Sequence, residues 1–189
     1  LYSLQYVGAG SGVWGATIVG EQTSIASQNA VAYANGVSYW MGKDKFYKYD
    51  GRVQPLRCDL RKYIFTDFND LQYVQVFGGS NEAFHEVWWF YCSAASSDID
   101  RYVIYNYLED IWYYGNMART AWLDSGLRSF PLAATYNSVL VDHENGIDDN
   151  ETSTPAAITA SITSAQLDLE DGHQFALVSR MIPDVSFEG

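Results

Sequence analysis

Short runs in which β-branched and aromatic residues alternate with other residues recur along the whole chain. Runs of about four to eight residues with this alternation are typical of β-strands that have one buried face. The predicted strands are 1–7, 13–19, 30–34, 37–41, 45–49, 73–77, 86–92, 101–107, 111–114, 132–135, 138–142, 157–163, 165–169 and 174–181. The turn dipeptides between them are Asn35-Gly36, Asp50-Gly51, Gly78-Gly79, Asn145-Gly146 and Asp171-Gly172. This spacing predicts an antiparallel all-β fold.

One segment departs from the strand pattern. In residues 59–68 the apolar positions Leu60, Ile64 and Phe68 recur every four residues, which is the spacing of one face of a helix. Asp59 precedes them as a candidate N-cap. We therefore expect one short helix, of about two turns, lying on a sheet.

A weak internal repeat groups the strands into units. Tyr39-Trp40, Trp88-Trp89 and Leu140-Val141 lie near the middle of similar hairpins, about fifty residues apart. Several strands per repeat of this length are typical of β-propeller blades. The aromatic residues Trp88, Trp89, Tyr105, Trp112 and Tyr113 would fill the space between neighbouring blades. We expect an incomplete set of blades over residues 1–145, followed by a final blade or the start of a β-sandwich over 155–189.

The composition excludes several classes of protein. Aromatic residues make up 16% of the chain, which excludes a disordered protein. There is no apolar run long enough to span a membrane as a helix and no signal-peptide pattern. The net charge of -12 argues against a protein that grips the phosphates of a nucleic acid. Because strand-like sequence runs to both ends and no initiator Met is present, we expect a piece of a longer protein.

The charges are unevenly distributed along the chain. Residues 101–189 contain four basic and thirteen acidic side chains, whereas every basic residue of the first hundred lies between 43 and 62. Those seven are Lys43, Lys45, Lys48, Arg52, Arg57, Arg61 and Lys62. They are either solvated, or they form a head-to-tail contact in which the basic edge of one subunit meets the acidic edge of the next. We take them as the candidate subunit contact.

No motif indicates an enzyme or a bound cofactor. Residues 10–15 match the dinucleotide fingerprint G-x-G-x-x-G, but a strand is expected to follow where the fingerprint requires a helix. The acidic segments 142–144 and 148–151 do not have the glycine offset of a calcium-binding EF-hand loop, and we interpret them as solvated. Cys58 and Cys92 are expected to be small buried side chains rather than a disulfide or metal site. His85, His143 and His173 form no recognisable catalytic spacing. The prediction is no catalytic, cofactor-binding or metal site.

The aromatic residues leave a second interpretation open. Most of them occupy alternating strand positions, as core residues do. Those that remain exposed could instead form a platform on which sugar rings stack, as in propeller lectins. The alternative is therefore a carbohydrate- or receptor-binding propeller.

Several stretches resemble a known family. They are residues 37–51 (VSYWMGKDKFYKYDG), 86–91 (EVWWFY), 101–107 (RYVIYNY), 110–115 (DIWYYG), 171–175 (DGHQF) and 180–184 (RMIPD). Together they are similar to the tail nozzle proteins of short-tailed phages and prophages, also described as tail tubular B-like or packaged-DNA stabilisation proteins. The resemblance covers most of residues 31–189.

The resemblance implies a role that the composition alone does not. Nozzle proteins combine an irregular β-propeller with further β-domains, and they assemble as a hexameric ring around the DNA channel. The ring lies below the portal and adaptor proteins, retains packaged DNA and lets it pass during ejection. The expected location is then the virion, after assembly in the host cytoplasm. The family has no catalytic residues, and its members are several hundred residues long.

Overall fold

The computed structural model describes residues 1–8, 13–126, 128–152 and 154–158, together with residues 177, 179, 180 and 182. Fifteen strands in this part of the chain form antiparallel pairs, and one short α-helix lies among them. The strands are β1 (Tyr2–Tyr6), β2 (Trp14–Ile18), β3 (Val31–Ala34), β4 (Val37–Met41), β5 (Phe46–Tyr49), β6 (Val53–Leu56), β7 (Phe77–Asn81), β8 (Glu86–Tyr91), β9 (Arg101–Asn106), β10 (Ile111–Asn116), β11 (Ala121–Leu123), β12 (Leu132–Ala134), β13 (Leu140–Asp142), β14 (Asp148–Asp149) and β15 (Ala156–Ala157). The helix α1 is Arg61–Asp67, and short 3-10 helices are Asp70–Gln75 and Glu82–Phe84.

Three sheets follow one another along the chain, each a meander of neighbouring strands. Sheet 1 has the order β3-β4-β5-β6, sheet 2 has β7-β8-β9-β10 and sheet 3 has β11-β12-β13. Two hairpins, β1-β2 before sheet 1 and β14-β15 after sheet 3, complete the described strands. A four-stranded antiparallel meander is the usual form of a propeller blade.

The first strands of successive sheets lie side by side. The backbone N–H of Gly78 in β7 donates to the carbonyl of Asn29, just before β3, at 2.8 Å. In β11, the indole N–H of Trp122 donates to the carbonyl of Ser80 in β7 at 2.7 Å. Sheets that meet through their first strands and stack on their faces have the arrangement of propeller blades. The predicted antiparallel all-β fold is confirmed, and the described sheets form an open, propeller-like stack.

Two aromatic cores hold the stack together. The larger lies between sheets 1 and 2, where Phe46 from β5 packs against Trp89 from β8 with ring centroids 4.9 Å apart. The second lies between sheets 2 and 3, where Trp88 stacks on Trp122 at 5.0 Å. Trp88 and Trp89 are adjacent in β8 and therefore point to opposite faces, so that one strand supplies both cores.

The predicted helix is present as α1. Ile64 and Phe68 are buried in the core between sheets 1 and 2, with Leu60 partly buried beside them, as the four-residue spacing predicts. The prediction of Asp59 as the N-cap is wrong. Leu60 occupies the cap position without a side-chain hydrogen bond, and the Asp59 carboxylate instead accepts from the Arg57 guanidinium at 3.3 Å.

The strand predicted at 73–77 is wrong, and so is the turn predicted at Gly78-Gly79. Residues 70–75 form a 3-10 helix, and the two glycines lie inside β7. Close packing explains why they are glycines. A Cβ at Gly78 would lie 3.2 Å from the backbone of Val31, and one at Gly79 would lie 2.4 Å from the Trp122 ring. β7 contacts sheets 1 and 3 so closely that larger side chains have no room there.

The third copy of the predicted repeat was also wrong. Tyr39-Trp40 and Trp88-Trp89 do lie in the second strands of sheets 1 and 2, but Leu140-Val141 lies in the third strand of sheet 3. The second strand of sheet 3 is β12, which contains Ala133. Strands β6, β11 and β14 were not predicted. The strand predicted at 165–169, most of those predicted at 157–163 and 174–181, and the turn Asp171-Gly172 lie outside the described residues.

Candidate functional site

The seven basic residues of the candidate subunit contact lie on sheet 1 and on the helix that follows it. Lys43 and Lys45 lie in the β4-β5 loop, Lys48 in β5 and Arg52 in the β5-β6 turn. Arg57 follows β6, while Arg61 and Lys62 begin α1. Since β6 is the edge strand of the sheet, these residues form a basic rim around its outer edge, and we call them the basic edge.

Local carboxylates neutralise part of the basic edge. The Lys48 ammonium lies 3.4 Å from Asp50, and the Arg61 guanidinium lies 3.7 Å from Asp44. Arg61 also donates to the backbone carbonyl of Asp44 at 2.8 Å, which ties α1 to the β4-β5 loop. Residues 43–62 hold seven basic but only three acidic side chains, so an excess positive charge remains.

The β1-β2 hairpin has one apolar face that is exposed. The cross-strand pairs Tyr2/Ile18, Leu4/Ala16 and Tyr6/Trp14 all point to this face. Tyr2 and Leu4 are each 67% exposed, and Trp14 is 65% exposed. Residues 1–20 carry no charged side chain. A two-stranded hairpin is only marginally stable on its own. The exposed apolar face of this hairpin is therefore a surface that needs a partner.

Among the described residues, the opposite end of the stack is also apolar and exposed. In sheet 3, Trp122 and Ala133 point towards sheet 2, and their strand neighbours point outwards. The outer face consists of Ala121, Leu123, Leu132, Ala134, Leu140 and Asp142. Leu123 is 59% exposed and Leu140 is 67% exposed. The described stack therefore has an exposed apolar face at each end.

An acidic loop follows β13, the last strand of sheet 3. Residues 142–151 hold five carboxylates and no Lys or Arg. Two of them are paired: Asp142 lies 3.3 Å from Arg128, and Glu151 lies 3.1 Å from Arg119. Asp142 remains exposed, in keeping with the interpretation of this segment as solvated, whereas Glu151 is partly buried. Glu144, Asp148 and Asp149 leave an excess negative charge at this end.

A cavity of about 720 Å³ lies between the acidic loop and the second core. Arg119 crosses it, donating through Nε to Nε2 of His143 at 3.0 Å and through Nη1 to Glu151. The His143 ring packs on Trp122 with centroids 4.8 Å apart. Burial and the neighbouring Arg119 charge lower the pKa of His143 to about 4, so the ring is neutral at pH 7. These hydrogen bonds tie the connection between β10 and β11 to the segments that follow β13 and β14.

The buried carboxamide of Asn81 and the half-buried carboxylate of Glu86 lie near this cavity. Asn81 is fully buried, and its Nδ2 lies 3.5 Å from Oε1 of Glu144. Glu86 accepts from the Trp88 indole at 2.9 Å. Burial raises the pKa of Glu86, and the nearby Glu144 charge raises it further. The contact between Asn81 and Glu144 connects the end of β7 to the loop after β13.

A second cavity, of about 480 Å³, lies between the N-terminal hairpin and sheet 1. Its lining is mostly apolar and includes Leu1, Val31, Trp40 and Tyr49. The Trp40 indole donates to the carbonyl of Ser24 at 3.1 Å, on the wall of this cavity. This space shows that the hairpin only partly covers the first sheet.

The remaining motifs lie apart from one another. Cys92 is buried, as predicted, whereas Cys58 is only partly buried. Burial raises the pKa of the Cys92 thiol to about 11 and that of Cys58 to about 12. His85 packs on Tyr107 at 5.7 Å. A strand, β2, follows the fingerprint-like glycines, as predicted; residues 10–12 and His173 lie outside the described residues.

The aromatic residues divide into two groups. Trp88, Trp89, Tyr105 and Trp112 fill the contacts between sheets, as predicted for blades, whereas Tyr113 is 41% exposed and the prediction is wrong for it. Tyr6 and Trp14 instead form an exposed edge-to-face pair, 5.9 Å apart, on the hairpin. Two residues were not predicted: Trp122, which joins sheet 3 to sheet 2, and Arg119, which joins the β10-β11 connection to the segments after β13 and β14. Their partners are 24 to 42 residues away along the chain, so no local pattern indicates them.

Within the described ranges, no group of three or more His, Cys, Asp and Glu side chains is placed to hold a metal ion. No helix in the same part of the chain has the length and apolar character needed to cross a membrane. No protein-family model matches the sequence, and a search of curated proteins gives no match either.

Proposed function

We propose that this chain is a structural part of a phage tail nozzle, assembling into a ring around the DNA channel. The observation that carries this proposal is the open stack of blade-like sheets with an exposed apolar face at each end. A stack of this kind suits a protein that is completed by neighbouring β-units rather than one that encloses a reactive centre. The sequence resemblance supplies the particular assembly.

Charge supports the same role. The chain carries a net charge of -12, so most of its surface repels phosphates. In the proposed ring, repulsion keeps the duplex from adhering while the genome passes without sequence preference. The basic edge then serves to contact a neighbouring subunit rather than DNA. The portal and adaptor proteins are the other proposed partners, and the proposed location is the virion.

Electron microscopy tests the assembly. The full-length protein that contains this chain is expected to form rings, and an antibody against the chain is expected to label virions at the tail. Particles that lack the protein should package DNA and then lose it. A full-length protein that is monomeric inside the virion, or particles that retain DNA without it, would refute the proposal.

A charge-reversal variant tests the basic edge. Replacing Lys43, Lys45 and Lys48 by Glu should weaken assembly, because it removes the positive rim that faces the acidic neighbour. The control replaces the exposed residues Ala94, Ala95 and Ser97 by Glu, which adds the same three carboxylates on a different loop without removing positive charge. Equal assembly of both variants would show that the lysines only face solvent.

The exposed Tyr6–Trp14 pair favours one alternative function. Two aromatic rings on an uncharged hairpin could stack on sugar rings, as a carbohydrate- or receptor-binding propeller requires. A glycan array separates the two proposals. Specific binding that is lost in Trp14→Ala supports the alternative, whereas an array without binding supports the structural role.

A further inference from the structure

We propose that the apolar face of the β1-β2 hairpin docks on the outer face of sheet 3 of a second copy of this chain. The inference rests on the proposed function, because it names the surfaces through which the subunits of the ring would meet. It adds a head-to-tail contact that is apolar at its centre and charged at its rim.

The two surfaces have matching chemistry. On the hairpin, Tyr2, Leu4, Tyr6, Trp14, Ala16 and Ile18 form a continuous face with no charged residue. On sheet 3, five of the six outward positions are Ala or Leu, and the sixth, Asp142, is paired with Arg128. Two uncharged faces can pack without burying an unpaired charge.

The hairpin can add to the stack in the way that each sheet adds to the one before it. Inside the chain, an apolar sheet face covers its neighbour twice, first between sheets 1 and 2 and then between sheets 2 and 3. Within the described residues, the outer face of sheet 3 is the next position in that series; the blade or β-sandwich predicted at 155–189 lies mostly outside them. A hairpin from another copy would fill it with aromatic side chains of the same kind as those in the two cores.

Charge at the rims selects this pairing. The base of the hairpin lies beside sheet 1, since Gly20 packs against Val53, the neighbour of Arg52 in the basic edge. Asp142, on the outer face of sheet 3, begins the acidic loop 142–151. A head-to-tail contact therefore brings a basic rim to an acidic rim, whereas a contact between two hairpins or two third sheets brings like charges together.

The contact is heterologous, because two different surfaces meet. Such contacts build closed rings when the rotation between copies closes, and open filaments when it does not. The proposed pairing is therefore compatible with the ring of the proposed function. It also predicts that each copy uses both ends of its stack.

Apolar-to-polar substitutions on either surface test the docking. In the full-length protein, Leu4→Ser on the hairpin and Leu140→Ser on sheet 3 should each weaken self-association by roughly tenfold to a hundredfold, since each removes a buried leucine side chain. The matched control is Leu108→Ser, which changes a residue that is 70% exposed on a loop of sheet 2. Sedimentation velocity measures the association, and circular dichroism checks that each variant is folded.

Crosslinking between two differently labelled copies identifies the partner surface. A mixture of Leu4→Cys and Leu140→Cys proteins should form a disulfide-linked heterodimer, and neither protein alone should form more dimer than the wild type with its native Cys58 and Cys92. Efficient crosslinking of Leu4→Cys with itself would overturn the inference in favour of a symmetric hairpin pair.

The outcomes separate this inference from the proposed function. If the wild type assembles and both Ser variants assemble as the control does, the ring uses other surfaces and only the docking inference fails. If the wild-type full-length protein stays monomeric at every concentration, the proposed function fails together with it. Assembly that is weakened by both Ser variants but not by the control supports the two proposals.

Discussion

Removal of the Trp89 side chain should destabilise the packing between the two largest sheets. Trp89 is fully buried between sheets 1 and 2, where its ring lies 4.9 Å from Phe46 and 6.1 Å from Trp112. Its indole N–H donates to the carbonyl of Ala30 at 3.0 Å, next to β3. Trp89→Ala leaves a large cavity at the centre of the contact, which costs about 3–5 kcal/mol of unfolding free energy.

A smaller substitution distinguishes the contribution of aromatic packing to stability from that of the hydrogen bond. The Ala30 carbonyl also accepts from the backbone N–H of Met41 at 3.0 Å, so it keeps a partner when the indole is removed. Trp89→Phe retains an aromatic ring at the site. It should therefore cost less than the alanine variant, with about 1 kcal/mol of the loss attributable to the hydrogen bond.

Urea unfolding measures both variants. With a denaturant dependence of about 2 kcal/mol per molar urea, the alanine variant should lower the midpoint by roughly 1.5–2.5 M. The control is Trp14→Ala, in which the same side chain is removed from a site that is 65% exposed. This control should shift the free energy by no more than about 0.5 kcal/mol. Equal effects of the two alanine variants would refute the aromatic core between sheets 1 and 2 as the source of stability.

Three further predictions follow from other parts of the stack. Gly79→Ala should destabilise the protein by about 1–3 kcal/mol, because the added methyl group meets the Trp122 ring; a thermal scan that matches the wild type would contradict this. His143 has a folded-state pKa of about 4, below its usual value, so the unfolded chain binds the proton first as the pH falls. Unfolding free energy should therefore decrease from about pH 6.5 to about pH 4, and this contribution should be absent in His143→Gln; identical pH profiles in urea titrations would argue against a buried neutral ring. Burial raises the pKa of both cysteines, so native thiols should react with iodoacetamide at pH 8 far more slowly than in urea, and equal rates would show that the thiols are accessible.

The sequence predicts the strands that carry a strong alternating pattern. β4, β8 and β9 contain β-branched and aromatic residues at alternate positions, and the structure places all three where they are expected. The helix α1 is also predicted, since Ile64 and Phe68 repeat at the spacing of one helical face. The local sequence pattern is sufficient to predict these segments, because the intrinsic propensity of their residues and the burial of their apolar side chains favour the same element.

Tertiary packing decides the elements that the sequence does not predict. Gly78 and Gly79 indicate a turn by composition, yet they lie in a strand because Val31 and Trp122 approach them too closely for side chains. β6 contains Pro55, which is tolerated because β6 is an edge strand. Both facts depend on neighbours that are distant in sequence.

The candidate subunit contact is likewise predicted only in part from the sequence. The clustering of the basic residues is visible in the sequence, but their position on the outer edge of sheet 1 is not. The pairing of Arg119 with His143 and Glu151 spans 24 to 32 residues and has no local signature. The apolar outer face of sheet 3 becomes recognisable only when Trp122 is seen to point the other way.

Native mass spectrometry of the full-length protein, recorded across a series of salt concentrations, tests the central claim most directly. That claim is an open stack of sheets, completed by neighbouring copies. We expect one closed oligomer of fixed stoichiometry, a hexamer by the family resemblance, which loses subunits as salt screens the charged rims. A protein that remains a monomer at every salt and protein concentration would contradict the claim.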